Sequence, residues 1–277
     1  IFKFIDCSQI SVTGVTIKNA TGWVQTYDLC KNLLLDHSRV ESDAYWNNDG
    51  IDVVDCTDVR ITNSYVNAAD DGICLKSGKD AAGRRIGVPT EDVLVENCVV
   101  YHAHGGLTIG SEMSGGVRNV RVNNCLFIGT DIGLRFKSTR GRGGVVENIR
   151  ISNINMMDIP GNAIDFNLYY GGKAPLETMG EAPKIEIPPV TEATPQFKDI
   201  RIENVVCRGA AAAIFLQGLP EMPLSDITLK NISITSQKGV FVTDAEEIQF
   251  ENVRVKNQSG PPLTETRVKN SKLDLLK

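Results

Sequence analysis

Apolar and polar residues alternate in short runs along the whole chain, and the runs share one pattern, apolar–x–apolar–x–Asn–x–x–apolar. It reads VRITNSYV from 59, VLVENCVV from 93, VRVNNCLF from 120 and IRISNINM from 149. It returns as IRIENVVC from 200, ITLKNISI from 227 and IQFENVRV from 248, with looser copies ISVTGVTI from 10 and LLLDHSRV from 33. Each copy is followed by a second run: GIDVVD from 50, GICLKS from 72, GLTIGS from 106, GLRFKS from 133, AIDFNL from 163, AIFLQG from 213 and GVFVTD from 239. Alternation with period two and β-branched residues predict strands, not helices. A unit this short cannot bury its own apolar face, so successive units must stack. The predicted fold is all-β: a right-handed, single-stranded parallel β-helix of about nine to ten coils, the handedness following the rule for parallel connections.

Stacking converts sequence repetition into adjacency. The same repeat position recurs every ~4.8 Å along the axis. Asn97, Asn124, Asn153, Asn204, Asn231 and Asn252 are therefore expected to form a ladder of side-chain amides at one turn, with a structural role. Cys7, Cys30 and Cys56 share one repeat position, and Cys98 and Cys125 another; free thiols filling the core are expected.

The second runs, aligned on Gly50, Gly72, Gly106 and Gly133, place Ile51, Val53, Ile73, Leu75, Leu107, Ile109, Leu134 and Phe136 on the core face. The alternate positions, Asp52, Lys76, Thr108, Arg135 and Lys137, point away from the core. Just ahead of the glycines stand Asp49, the pair Asp70 and Asp71, and His104. Four coils thus bring Asp49, Asp70, Asp71, His104, Arg135 and Lys137 onto one surface within roughly 15 Å, three strand spacings. Each has an ordinary reading taken alone: a turn aspartate, a packed histidine, a solvated base. Six on one stacked patch, two of them adjacent carboxylates that repel, point to a site.

At these residues the sequence resembles glycoside hydrolase family 28, the polygalacturonases and their relatives, in a bacterial-type form. The family's four motifs stand here as NND (47–49), DD (70–71), AHG (103–105) and RFK (135–137), and the likeness runs from about residue 5 to 257. Asn48, Ala103 and Phe136 depart from the family pattern without removing an ionisable group. The resemblance implies inverting hydrolysis of α-1,4-linked galacturonic acid, with Asp70 as general acid. Asp49 and Asp71 would activate water, His104 would support the acid, and Arg135 and Lys137 would bind the sugar carboxylate. These residue types suit that chemistry. Glycoside cleavage needs one protonated and one ionised carboxyl, crowding separates carboxyl titrations, and arginine and lysine recognise an acidic sugar. The inverting outcome rests on the resemblance, because stacking puts the Cα atoms of Asp49 and Asp71 only about one strand spacing apart.

Around the cluster, SGKDAAGRRIGVP (77–89) is expected to be a loop, bringing Arg84 and Arg85 near the substrate. Tyr169 and Tyr170 of NLYYGG are candidates for stacking on a sugar ring. Segment 171–196, rich in proline and outside the repeat, is expected to be a long loop within a single domain spanning 1–277.

Two rivals share the architecture: a calcium-dependent lyase of the pectate lyase kind, cleaving by β-elimination, and a passive carbohydrate-binding shaft. The exact polymer, and endo or exo attack, stay open.

With 277 residues, 42% hydrophobic and 23% charged, the chain is globular rather than disordered. A net charge of −5 argues against a nucleic-acid partner, and no apolar run reaches membrane-spanning length. The seven cysteines lack zinc-ligand spacing. No metal or cofactor is expected. The expected partner is an acidic polysaccharide or oligosaccharide, met by a monomer that is secreted or periplasmic. Because the chain opens on IFKFIDCSQI, already strand-like, further N-terminal sequence with an export signal is expected.

Overall fold

The computed structural model describes residues 1–172 and 187–276. Among the described residues, twenty strands join one sheet, and every pairing between them is parallel. The sheet coils into a parallel β-helix. One register column passes through Phe4, Tyr27, Val53, Leu75, Ile109, Phe136, Phe166, Leu216, Val242 and Glu265. A second follows the repeat through Val12, Leu35, Ile61, Val95, Val122, Ile151, Ile202 and Leu229. Later coils pair continuously around a corner, so single strands run over Val145–Asn167, Gln196–Gln217 and Leu224–Asn257.

The core is the stack of inward positions. All eight residues assigned to it between Ile51 and Phe136 are buried, and the rings of Phe136 and Phe166 stack at 4.0 Å, 7° apart. All seven cysteines are free. Cys30 and Cys56 lie on successive coils, the Cys30 amide donating to Cys56 Sγ at 3.3 Å.

The asparagine ladder is present. Asn63, Asn97, Asn124, Asn153, Asn204, Asn231 and Asn252 all have φ between 50° and 57°, a left-handed bend that asparagine tolerates better than most residues. Each Nδ2 donates to Oδ1 on the preceding coil, from Asn97 to Asn63 at 3.2 Å through to Asn252 to Asn231 at 2.8 Å. One rung slips: Asn153 donates to Asn123, at 2.7 Å, rather than to Asn124. Asn123 Oδ1 also accepts from Ser152 Oγ, at 3.1 Å.

Segment 77–89 departs from expectation, since it contains a helix, Asp80–Ile86. Gly87 ends it at φ 64°, its amide bonded to Gly83 O at 2.9 Å. Seven residues are too few to display helical periodicity, but Asp80 in the first turn and Arg84 and Arg85 in the last complement the helix dipole. Of the expected loop 171–196, residues 173–186 lie outside the described residues; 187–195 form no strand, and strand structure resumes at Gln196. Among the described residues no helix is long and apolar enough to cross a membrane.

Candidate active site

The site lies where the second runs begin. Asp49 and Asp71 are stacked: the Gly50 amide donates to Asp71 O at 2.8 Å and that of Ile51 to Gly72 O at 2.9 Å. A β-carbon on Gly50 would stand 2.6 Å from Gly72 O, so only glycine permits this approach. The next coil is tied on by the His104 amide, which donates to Asp70 O at 2.9 Å. Gly105 likewise clears a path for Arg135, whose Cδ would lie 3.1 Å from an added β-carbon. Asn48 holds the turn ahead of Asp49; fully buried, it donates to Ala20 O at 2.6 Å and Ser42 Oγ at 2.8 Å.

Asp49, Asp70 and Asp71 each present a carboxylate oxygen within 4.8 Å of the others. Their surroundings differ. Asp71 is held on both oxygens: Oδ1 accepts from Arg135 Nη1 and Thr108 Oγ1, each at 3.0 Å, and Oδ2 from Lys137 Nζ at 2.7 Å. Burial alone would raise its pKa, but Lys137 and Arg135 outweigh burial and hold it below the ordinary range. Asp70 is half-buried; Oδ1 accepts the Asp71 amide at 2.9 Å and lies 3.2 Å from His104 Nδ1. Burial works against its charge too, but His104 and Lys137 bring its pKa below the ordinary value. The hydrogen bond to Asp70 raises His104 in return, and Asp131 Oδ2 stands 3.6 Å from the other ring nitrogen.

Asp49 is shifted the opposite way. Burial, with Asp71 and Asp70 adding repulsion, raises its pKa despite a 2.8 Å bond from Lys76 Nζ to Oδ2. Its Oδ1 is buried and has no hydrogen-bond partner.

The positions expected to leave the core do so, but they are not solvated. Asp52, Lys76, Thr108 and Lys137 bury one another beneath the groove walls. Trp23, Asn47, Gly110, Ser111, Glu112 and Tyr170 complete those walls, around a cavity of about 130 Å³ that Asp49, Asp70, Asp71, Lys76 and Lys137 also line. Tyr170 is partly exposed, its ring 4.8 Å from Lys137 Nζ and 5.8 Å from Arg135 Cζ. Tyr169 faces the other way, buried against Arg140, whose guanidinium forks onto Glu221. Arg84 is engaged elsewhere, donating to Gly141 O at 2.7 Å and Arg142 O at 3.0 Å. Arg85 is exposed and does not line the cavity.

Sequence reasoning thus brought together Asp49, Asp70, Asp71, His104, Arg135, Lys137 and Tyr170. It missed Trp23, Glu112 and the pairing of Lys76 with Asp49 and Asp52. Lys76 and Asp52 were visible as outward positions; nothing in the pattern told where their side chains turn.

Comparison with known proteins gives a consistent result. The profile of the glycosyl hydrolases family 28 matches residues 1–259. A probable polygalacturonase of Vitis vinifera is 28% identical over 229 residues, covering 82% of this chain and 44% of the grape protein. An exo-poly-alpha-D-galacturonosidase of Dickeya chrysanthemi is 24% identical over 276 residues, 95% of this chain and 43% of that one. Among solved structures, a hyperthermoactive exopolygalacturonase from Thermotoga maritima superposes with a TM-score of 0.75 at 30% identity, over 93% of this chain and 54% of that chain. The chain spans about half the length of the relatives it matches. With the four motifs gathered at one groove of a parallel β-helix, the chain belongs to glycosyl hydrolases family 28.

Proposed function

We propose that this chain hydrolyses α-1,4-galacturonosidic bonds in pectic polymers or their oligomers, with inversion. One observation carries the reading: three carboxylates within 4.8 Å of one another, flanked by Arg135 and Lys137. Asp70 is the general acid, giving its proton to the leaving oxygen. Asp49, which lines the cavity beside Asp70 and Asp71, takes the proton of the attacking water. Asp71 holds Arg135 and Lys137 in place and helps to fix that water, for which the cavity has room.

In the free site Asp70 is held ionised partly by Lys137. A galacturonate carboxylate settling on Lys137 offsets that charge and lifts Asp70 toward its protonated form. An anionic substrate thereby helps to arm its own acid, and His104, whose pKa is raised, keeps a proton 3.2 Å away. Tyr170 stacks beside the bound sugar; Tyr169, Arg84 and Arg85 have no direct role.

Inversion is supported by family membership and by Asp71, whose oxygens are all engaged and so are poorly placed to attack a sugar carbon. The short spacing of the carboxylates alone would suit retention. Proton NMR of the first-formed anomer decides between them. We also infer a secreted or periplasmic location and a monomeric state, since a polymeric substrate lies outside the cell and is met by an open groove.

The test is product analysis on polygalacturonate and on trigalacturonate. Hydrolysis releases reducing ends without ultraviolet absorbance and persists with a chelator; absorbance that a chelator abolishes indicates elimination. Asp70→Asn lowers turnover by about 10²–10⁴-fold with KM nearly unchanged. If the wild-type chain binds the polymer without cleaving it, the passive-shaft reading is correct.

A further inference from the structure

Lys76 stands outside the four quoted motifs, yet its ammonium is held on three sides at the site. It is 5% exposed. Its Nζ lies 2.8 Å from Asp49 Oδ2, 2.9 Å from Asp52 Oδ1 and 3.7 Å from the centre of the Trp23 ring. We propose that Lys76, seated between Asp49, Asp52 and Trp23, is the positioning residue that anchors the Asp49 carboxylate through Oδ2 and favours its charged form. This rests on the reading of Asp49 as the base.

The argument begins with asymmetry. At Asp71, Arg135, Thr108, Lys137 and the Cys74 thiol engage both oxygens; at Asp49, one donor takes Oδ2 and leaves Oδ1 buried without a partner. A buried, unpartnered carboxylate oxygen is unfavourable. A neighbouring cation offsets part of that cost, and Lys76 on Oδ2 is that cation. Of the other groups facing Asp49, Asp70 and Asp71 repel its charge, and Asp52 and Cys74 each place a ligand atom within 4.8 Å of it. Across the cavity stand Glu112 and Lys137, the latter already bonded to Asp71. Lys76 is therefore the one cation bonded to Asp49 among the described residues.

Asp52 completes the device. It is fully buried, its Oδ2 has no partner, and its Oδ1 meets Nζ outside hydrogen-bond geometry. Burial pushes its pKa well up, which weakens its competition with Asp49 for the ammonium. Trp23 closes the open side of Nζ through its π face. Arginine can keep the charge here; methionine, close in volume, cannot.

The experiment compares wild type, Lys76→Met, Lys76→Arg and Trp23→Leu. The Asp49 carboxyl is followed by carbon-13 NMR titration, assigned with Asp49→Asn, beside kcat and KM on trigalacturonate across pH. In Lys76→Met the Asp49 titration moves up by more than about one pH unit, and the acid limb of kcat/KM moves with it. At pH 5, kcat falls by about tenfold or more, with KM within about threefold of wild type. Lys76→Arg restores the limb, and Trp23→Leu moves it part of the way. If Lys76→Met does not fold, Trp23→Leu alone decides. An Asp49 titration and acid limb unmoved in the folded variants would overturn the assignment. So would Lys76→Met and Lys76→Arg losing activity equally at every pH, the mark of a purely structural role. A wild type that shows the NMR response without turnover leaves the coupling standing and removes the hydrolase reading instead.

Discussion

In the turn carrying Asn97, Asn204 and Asn231, each amide donates to the coil behind it and accepts from the coil ahead. In the groove, the same one-coil stacking sets Asp49 on Asp71, but carboxylates can only accept. Such a column cannot satisfy itself. It must recruit donors from the side, here Lys76, Thr108, Arg135 and Lys137, and it still leaves buried Asp49 Oδ1 without a donor. The asparagine column is exposed and closed upon itself; the carboxylate column is mostly buried and unfinished. One solenoid geometry thus makes a staple from groups that both donate and accept, and a reactive centre from groups that do not.

The sharpest way to break this contrast is Asp71→Ala. Removing the carboxylate strands buried Lys137 and partly buried Arg135, so stability falls by about 3–5 kcal/mol in urea unfolding and turnover disappears. A stability unchanged from wild type would mean that Arg135 and Lys137 do not depend on Asp71. Asn231→Ala tests the other column. It removes one donated and one accepted ladder bond and puts a β-branchless alanine at φ 52°. The cost is about 1–2 kcal/mol with kcat and KM at wild-type values; any kinetic loss would contradict a purely structural ladder. Tyr170→Ala probes the groove wall. It raises KM about two- to fivefold, the equivalent of about 0.5–1 kcal/mol, and leaves the unfolding midpoint and kcat in place.

The smallest effect concerns where the groove column ends. Asp165 follows Arg135 in register, and burial lifts its pKa from 3.8 to about 6. The native state therefore holds this proton more tightly than the unfolded chain. Stability from this group is greatest below pH 3.8, declines as pH rises toward 6, and is constant above. Asp165→Asn should match wild type near pH 4 and exceed it progressively up to pH 6 in thermal denaturation. A difference between the two proteins that does not vary with pH would show that Asp165 is ionised throughout.

The repeat alone determined the strands, the inward face from Ile51 to Phe136, the asparagine ladder, and the meeting of Asp49, Asp70, Asp71, His104, Arg135 and Lys137. The physical reason is that coils stack at a fixed interval, so equivalent positions in sequence become neighbours in space. Register says which Cα atoms are adjacent and which face a side chain leaves from. It does not say where a long side chain goes next. Only the tertiary structure decided that Lys76 bends back to Asp49 and Asp52 beneath Trp23, that Tyr170 borders the groove while Tyr169 packs on Arg140, and that Arg84 clamps the carbonyls of Gly141 and Arg142. It also decided the helix over Asp80–Ile86 and the slipped rung at Asn153. Each of these depends on loops packing against one another between coils, where the repeat is silent.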